Sequence, residues 1–179
     1  MSDMIINEVW KAIDGYLNYQ VSNMGRVRNC VSGRILQPGV NQNGYYFVFL
    51  FQDTRGKQFR VHRLVANEFL EKPPSIQNLV VDHIDRNRKN NMITNLRYCT
   101  RSQNAINKDK YCLGASSQFK GVSFCKKRKR YRASIRCARK LYNLGYYNTE
   151  EEAATAYNKK ALEMFGEFAR LNEIGAEDN

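Results

Sequence analysis

Between residues 8 and 60, apolar positions come in short runs at 10–13, 19–22, 26–29 and 45–51. Their length and Val, Ile, Tyr and Phe content predict four β-strands. Asp14-Gly15, Met24-Gly25, Ser32-Gly33 and Asn43-Gly44 punctuate the runs and predict tight turns. The result is a small antiparallel meander. From residue 62 the period lengthens. Leu64, Val65 and Phe69 fall on one face of a helix over 62–70, which Pro73-Pro74 stops. A short apolar strand at 79–82, a polar stretch at 85–91 and a strand at Leu96–Cys99 come next, then a helix starting at Thr100 or Ser102. Strand, long loop, strand, helix is the order of a ββα finger.

Residues 111–118 are small and polar and read as a linker. Beyond them, strands are predicted at 119–124, 131–137 and 141–147. Thr149 caps a following helix, with Glu150, Glu151 and Glu152 in its first turn, where acidic groups suit the helix dipole. Ala153, Ala154, Tyr157, Ala161, Leu162 and Phe165 form its apolar face, and Gly166 ends it. The fold class is α+β. A small N-terminal antiparallel β module (8–60) precedes a central ββα finger (61–110). After the linker (111–118) comes a three-stranded antiparallel sheet packed on one helix (119–172).

Composition adds a partner class. The 179 residues are 42% hydrophobic and carry a formal net charge of +12. A chain that apolar builds packed cores, and an excess that basic points to a polyanion, nucleic acid before an anionic membrane. The charge is also directional. Lys120, Lys126, Lys127, Arg128, Lys129, Arg130, Arg132, Arg136, Arg139 and Lys140 share a window without an acidic residue, and the acids return in the helix after Thr149. No apolar run approaches a membrane span, and residues 1–7 lack the pattern of a secretory signal. Five cysteines without a C-x-x-C pair argue for reduced thiols rather than a disulfide framework or zinc ribbon. A cytoplasmic, DNA-associated location is expected.

The chain has only two histidines, His62 and His83. His83 lies in Val80-Val81-Asp82-His83-Ile84-Asp85, and Asn90, Asn91, Asn95, Asn104 and Asn107 follow. Carboxylate and amide oxygens around an imidazole suit Mg²⁺ or Mn²⁺. Neighbours on a regular strand face opposite ways, so a site using both Asp82 and His83 needs the strand to end or twist there. His62, beside Arg63 at the start of the amphipathic helix, reads as a structural or phosphate-contacting residue.

Val81-Asp82-His83-Ile84-Asp85, Asn90-Asn91, Asn95-Leu96-Arg97 and Ser102-Gln103-Asn104-Ala105-Ile106-Asn107 together resemble the HNH (ββα-metal) homing endonucleases common in phages and mobile introns. The upstream Val61-His62-Arg63-Leu64-Val65-Ala66-x-x-Phe69 matches that family too. The resemblance implies that His83 is the general base that takes a proton from the attacking water. Asp82 and Asn104 would hold one divalent metal, Mg²⁺ or Mn²⁺, with Asn104 in place of the last histidine of the motif's name. Asn95 would brace the loop and orient His83 through a backbone contact. The products would be a 5′-phosphate and a 3′-hydroxyl.

Two flanking segments also look familiar. Glu8-Val9-Trp10-Lys11, Gly15-Tyr16 and Tyr19-x-Val21-Ser22-Asn23-x-Gly25-Arg26-Val27-Arg28 resemble the small nuclease-associated modular domain that often precedes HNH domains. Lys11, Arg26 and Arg28 are its candidate DNA contacts, with Arg63 just downstream. Phe119-Lys120-Gly121-Val122, Tyr131-Arg132-Ala133-x-Ile135, Leu144-Gly145-x-Tyr147 and Thr149-x-Glu151-Glu152-Ala153-Ala154-x-Ala156-Tyr157-Asn158 resemble the ethylene-response-factor type of DNA-binding domain. That family lays a three-stranded sheet in the major groove and often has Trp where Phe124 and Tyr131 stand here. Along 131–137, Arg132, Ser134 and Arg136 share one face and Tyr131, Ala133 and Ile135 the other. Arg132 and Arg136 are therefore candidate base readers. Lys120, Lys126, Lys127, Arg128, Lys129, Arg130 and Arg139 are candidate phosphate contacts.

The expected function is a metal-dependent, site-recognising DNA endonuclease that nicks double-stranded DNA as a monomer, with no membrane partner. The alternative is a DNA-binding transcriptional regulator that does not cut.

Overall fold

The computed structural model describes residues 7–74, 76–108 and 116–175. The chain divides between Arg101 and Ser102 into two compact units.

In the first unit, β1 (Trp10–Ile13), β2 (Tyr16–Ser22) and β3 (Val27–Asn29) form one antiparallel sheet in that order. A second sheet holds β4 (Gly39–Val40), β5 (Tyr46–Gln52) and β6 (Arg55–Arg60). The four predicted strands are present. β4 and β6 were not predicted. β6 reads Arg-Gly-Lys-Gln-Phe-Arg and is largely exposed, so no apolar run announces it. Its strand state comes from pairing with β5, Val48 opposite Phe59 and Leu50 opposite Lys57. A charged edge strand also discourages pairing with foreign strands.

β6 runs directly into α1 (Val61–Phe69), which ends four residues before Pro73. β7 (Val80–His83) and β8 (Leu96–Cys99) then form an antiparallel pair, with Asp82 opposite Arg97 and His83 opposite Leu96. One hydrophobic cluster ties the unit together. Val21 and Val27 of the first sheet, Val48 and Leu50 of β5, Val61 and Val65 of α1 and Leu96 of β8 all belong to it. The expected boundary between residues 60 and 61 therefore runs through a single core.

α2 (Arg101–Ile106) starts one residue before Ser102, where the predicted start was Thr100 or Ser102. The second unit contains β9 (Val122–Cys125), β10 (Arg130–Cys137) and β11 (Lys140–Tyr147), a three-stranded antiparallel sheet with β10 central. α3 (Glu150–Phe165) packs on it. Thr149 and Glu152 form a reciprocal capping box at its start. Ala133, Ala153, Ala154 and Ala161 are fully buried, so small side chains set the helix–sheet contact. Gly121 has φ +77°, and a Cβ there would lie 2.1 Å from the Tyr157 ring, so only glycine fits. Of the expected linker, residues 111–115 lie outside the described residues.

Among the described residues Cys30, Cys99, Cys125 and Cys137 form no disulfide, and Cys112 lies outside the described residues. Among the described residues, no helix is long and apolar enough to cross a membrane.

Candidate active site

β7 ends at His83, and this resolves the facing problem of an Asp-His pair. Asp82 turns to its cross-strand partner, and Arg97 Nε and Nη2 donate to its Oδ2 at 3.1 and 3.0 Å. His83 turns the other way, into a nest of rings. The His62 ring centroid lies 5.0 Å away and that of Tyr45 5.8 Å. Both Asp82 and His83 are buried, at 6% and 4% exposure.

Side chains rather than regular structure build the loop after His83. The Asp85 backbone N–H donates to Asn95 Oδ1 at 2.9 Å, and Asn95 Nδ2 donates back to Asp85 Oδ1 at 2.8 Å. Asn90 Nδ2 donates to Asp85 Oδ2 at 2.7 Å, and the Asn87 N–H donates to Asp85 Oδ1 at 2.8 Å. Asn95 also donates to the Asn90 carbonyl at 2.9 Å, and its own carbonyl accepts from the Ile84 N–H at 2.9 Å. Asp85 and Asn95 thus clasp the loop across its base. Asn91 closes it on the imidazole, its Oδ1 3.1 Å from His83 Nε2.

The electrostatics follow from burial. Desolvation lowers the His83 pKa, and the Arg88 guanidinium adds to this. The Asn91 hydrogen bond and the Asp85 and Asp82 carboxylates pull the other way without cancelling it. His83 is therefore neutral near pH 7 and able to accept a proton. His62 is held down to about 3, by desolvation first and then by His83, Arg63 and Arg60. Burial alone would raise the Asp85 pKa. The hydrogen bonds from Asn90, Asn95 and the Asn87 N–H together outweigh it, so the carboxyl sits below its ordinary value.

The structure brings Asp82, His83 and Asn95 together. Asn104 is half-buried on α2, within the second unit. His62 lies inside α1 at 3% exposure, which favours the structural one of its two readings. Tyr45 and the loop roles of Asp85 and Asn91 were not foreseen. The Asn90-Asn91 doublet was the available signal, since paired amides in a loop serve local hydrogen bonds.

Two oxygen donors of the expected kind are present, one in each unit. Asp82 offers a carboxylate and Asn104 an amide oxygen, the atoms Mg²⁺ and Mn²⁺ prefer. Among the described residues no group of three or more His, Cys, Asp or Glu is placed to hold a metal.

The candidate DNA contacts differ in how committed they are. Lys11 Nζ donates to the Glu68 carbonyl at 2.8 Å and lies over the Phe69 ring. Arg26 is paired with Glu8, and Arg28 is bonded to Gln20 Oε1 and stacked 4.3 Å from the Trp10 ring. Arg63 lines an open cleft of about 830 Å³ with Lys57, Arg60, Lys72 and Tyr98. In the second unit Lys120 Nζ donates to the Ile106 and Lys108 carbonyls at 2.5 and 2.7 Å, closing the end of α2. Lys126, Lys127, Arg128, Lys129, Arg130, Arg136 and Arg139 are exposed and Arg132 half-buried. On the face of β10 away from α3, Arg132 stands between Ser123 and Tyr146, and Arg136 stands beside Leu141. The Arg128 guanidinium lies 4.5 Å from the Tyr146 ring.

An Asp-His pair at a strand end, a clasped polar loop and a returning strand make the two-stranded part of a ββα finger. Residues 59–106 match the HNH endonuclease family model and residues 8–51 the NUMOD4 motif. Both matched spans end before Phe119. DNA endonuclease I-HmuI of Bacillus phage SP01 is 46% identical over 99 residues, 55% of this chain and 56% of that protein. An uncharacterized HNH endonuclease of Acanthamoeba polyphaga mimivirus is 39% identical over 118 residues, 65% of this chain and 59% of the relative. A solved structure of DNA binding and cleavage by the HNH homing endonuclease I-HmuI aligns with a TM-score of 0.51 and 46% identity, over 54% of this chain and 55% of that one. The chain thus spans little more than half the length of these relatives.

Proposed function

We propose that the protein is a metal-dependent, site-recognising DNA endonuclease that nicks double-stranded DNA as a monomer. The observation that carries this reading is His83, buried yet kept neutral and clasped in place beside the Asp82 carboxylate. In this reading His83 takes a proton from a water molecule. The water oxygen attacks the phosphorus, the bond to the 3′ oxygen breaks, the leaving 3′ oxygen takes a proton from solvent water, and the proton held by His83 is later returned to solvent. The products are a 5′-phosphate and a 3′-hydroxyl. Asp82 and Asn104 would hold one Mg²⁺ or Mn²⁺, which supplies stabilisation of the charge developing on the phosphate and leaving oxygen. Asn95 holds the loop that carries the base, and Arg97 fixes the direction of the Asp82 carboxylate.

Recognition is assigned to the modules on either side of the HNH segment, 8–60 and 119–172. The C-terminal sheet is read as an ethylene-response-factor-type surface, with Arg132 and Arg136 reading bases and residues 126–130 and Arg139 clamping phosphates. Its support is the row of Ser123, Arg132 and Tyr146 across the exposed face. Lys11, Arg26, Arg28 and Lys120 contribute positive potential from seated side chains, and Arg63 from an exposed one.

The test is a supercoiled plasmid incubated with the protein, with and without Mg²⁺ or Mn²⁺. Metal-dependent nicks that ligase reseals directly are the expected result, because ligase needs a 5′-phosphate and a 3′-hydroxyl. Tight, salt-sensitive binding without nicking in either metal would replace this reading with the regulator.

A further inference from the structure

The turn between β2 and β3 packs on the loop that follows β7. The Asn23 carbonyl accepts from the Ile93 N–H at 2.8 Å. The Asn23 side chain is engaged within its own module, accepting from the Val9 N–H at 2.9 Å and donating to the Asn7 carbonyl at 3.0 Å. Gly25 next to it has φ +81°, and a Cβ there would fall 2.7 Å from Asn91 Cβ and 3.0 Å from the Asn91 carbonyl oxygen. Asn91 therefore has a wall behind it. It is 4% exposed, and its Nδ2 donates to the Lys89 carbonyl at 3.2 Å, which leaves Oδ1 as the atom facing His83 Nε2. An amide oxygen has no hydrogen to give. The ring nitrogen opposite must carry it, and in a neutral imidazole the other nitrogen then holds the lone pair.

We propose that Asn91 is a positioning residue for His83: it fixes the imidazole as the Nε2–H tautomer, so that Nδ1 is the proton-accepting nitrogen, and the β2–β3 turn holds Asn91 there through Gly25. The N-terminal module is then part of the catalytic framework as well as a flank to it. The catalytic half of this statement rests on the endonuclease reading above, whereas the tautomer does not.

Because the chain has only two histidines, a long-range ¹H–¹⁵N spectrum of the ¹⁵N-labelled full chain shows two imidazoles. The wild type should show His83 as Nε2–H. Asn91→Ala should give a tautomer mixture at His83 and leave the His62 signals in place, which shows that the fold is intact. Asn91→Asp keeps an acceptor oxygen and should restore Nε2–H. In single-turnover nicking, Asn91→Ala should lose about 10–100-fold in rate with little change in DNA affinity, and Asn91→Asp should recover most of the loss. A wild-type His83 found as Nδ1–H, or an Asn91→Ala tautomer and rate equal to wild type, would overturn the proposal. Tautomers that follow Asn91 in a protein that nicks nothing would sink the endonuclease reading and leave the positioning role standing.

Discussion

The two units bury different chemistry. Inside the first lie Ser22, Asn23, His62, Asp82, His83, Asn91 and Asn95, all polar and all under 9% exposed. Inside the second, the buried polar residues among those described are Asn107 and Ser117, and the core around α3 is four alanines with Phe119, Val122, Ile135 and Tyr157. Buried polar groups cost stability unless each finds a partner. The first unit meets that cost for Asp82 and Asn95 with the Arg97–Asp82 pair and the Asp85–Asn95 clasp, and carries it at His62, whose Nδ1 is buried without a hydrogen-bond partner among the described residues. The second keeps its charge outside, on strands whose inner face is apolar. One unit is built to hold side chains in fixed orientation, the other to present them.

Acid is the strongest way to break this difference. His62 has a folded-state pKa of about 3 against an ordinary value of 6.5, so the unfolded chain binds the proton first. Stability contributed by neutral His62 is whole above about pH 6.5 and falls as pH drops toward 3, by up to about 1.4 kcal/mol per pH unit. His83, also lowered, adds to the loss in the same direction. Urea unfolding followed by the fluorescence of Trp10, the single tryptophan and a first-unit residue, should show a midpoint that falls over this window. His62→Phe should flatten the profile. An unchanged slope in that variant would remove His62 as its source.

The matching way to break the second unit is steric. Gly121→Ala places a methyl on the Tyr157 ring at positive φ and should cost about 2–4 kcal/mol, read as a lower urea midpoint in far-UV circular dichroism. A cost within experimental error would show that α3 can shift on its sheet.

Smaller effects separate presentation from positioning. Arg132→Ala should lower affinity for the preferred site by about 1–3 kcal/mol and relax sequence preference, whereas Lys127→Ala should weaken all sequences alike and reduce the salt slope by about 1. These are read by fluorescence anisotropy over a salt series. Equal effects on specific and random DNA from both variants would count against base reading by Arg132.

Much of this was legible in the chain. Strand β8, the amphipathic α1 and the Thr149 cap follow from patterns local to each segment. So does the placing of Asp82 and His83 at a strand end. β6 was not legible, because its polar sequence becomes a strand only through pairing with β5. Nor was the nest around His83. Tyr45 and His62 lie 38 and 21 residues away in sequence and reach the imidazole only through the packing of β5 and α1. Asn91 looked like one amide among many, and only its contact with His83 and the wall at Gly25 single it out.

The central claim is that His83 is the base of a DNA-cutting site. Its most direct test compares wild type and His83→Ala on one DNA, measuring single-turnover nicking in Mg²⁺ and the dissociation constant without metal. The account predicts a loss of about 10²–10⁴-fold in rate with affinity nearly unchanged. Undiminished nicking by His83→Ala would contradict it.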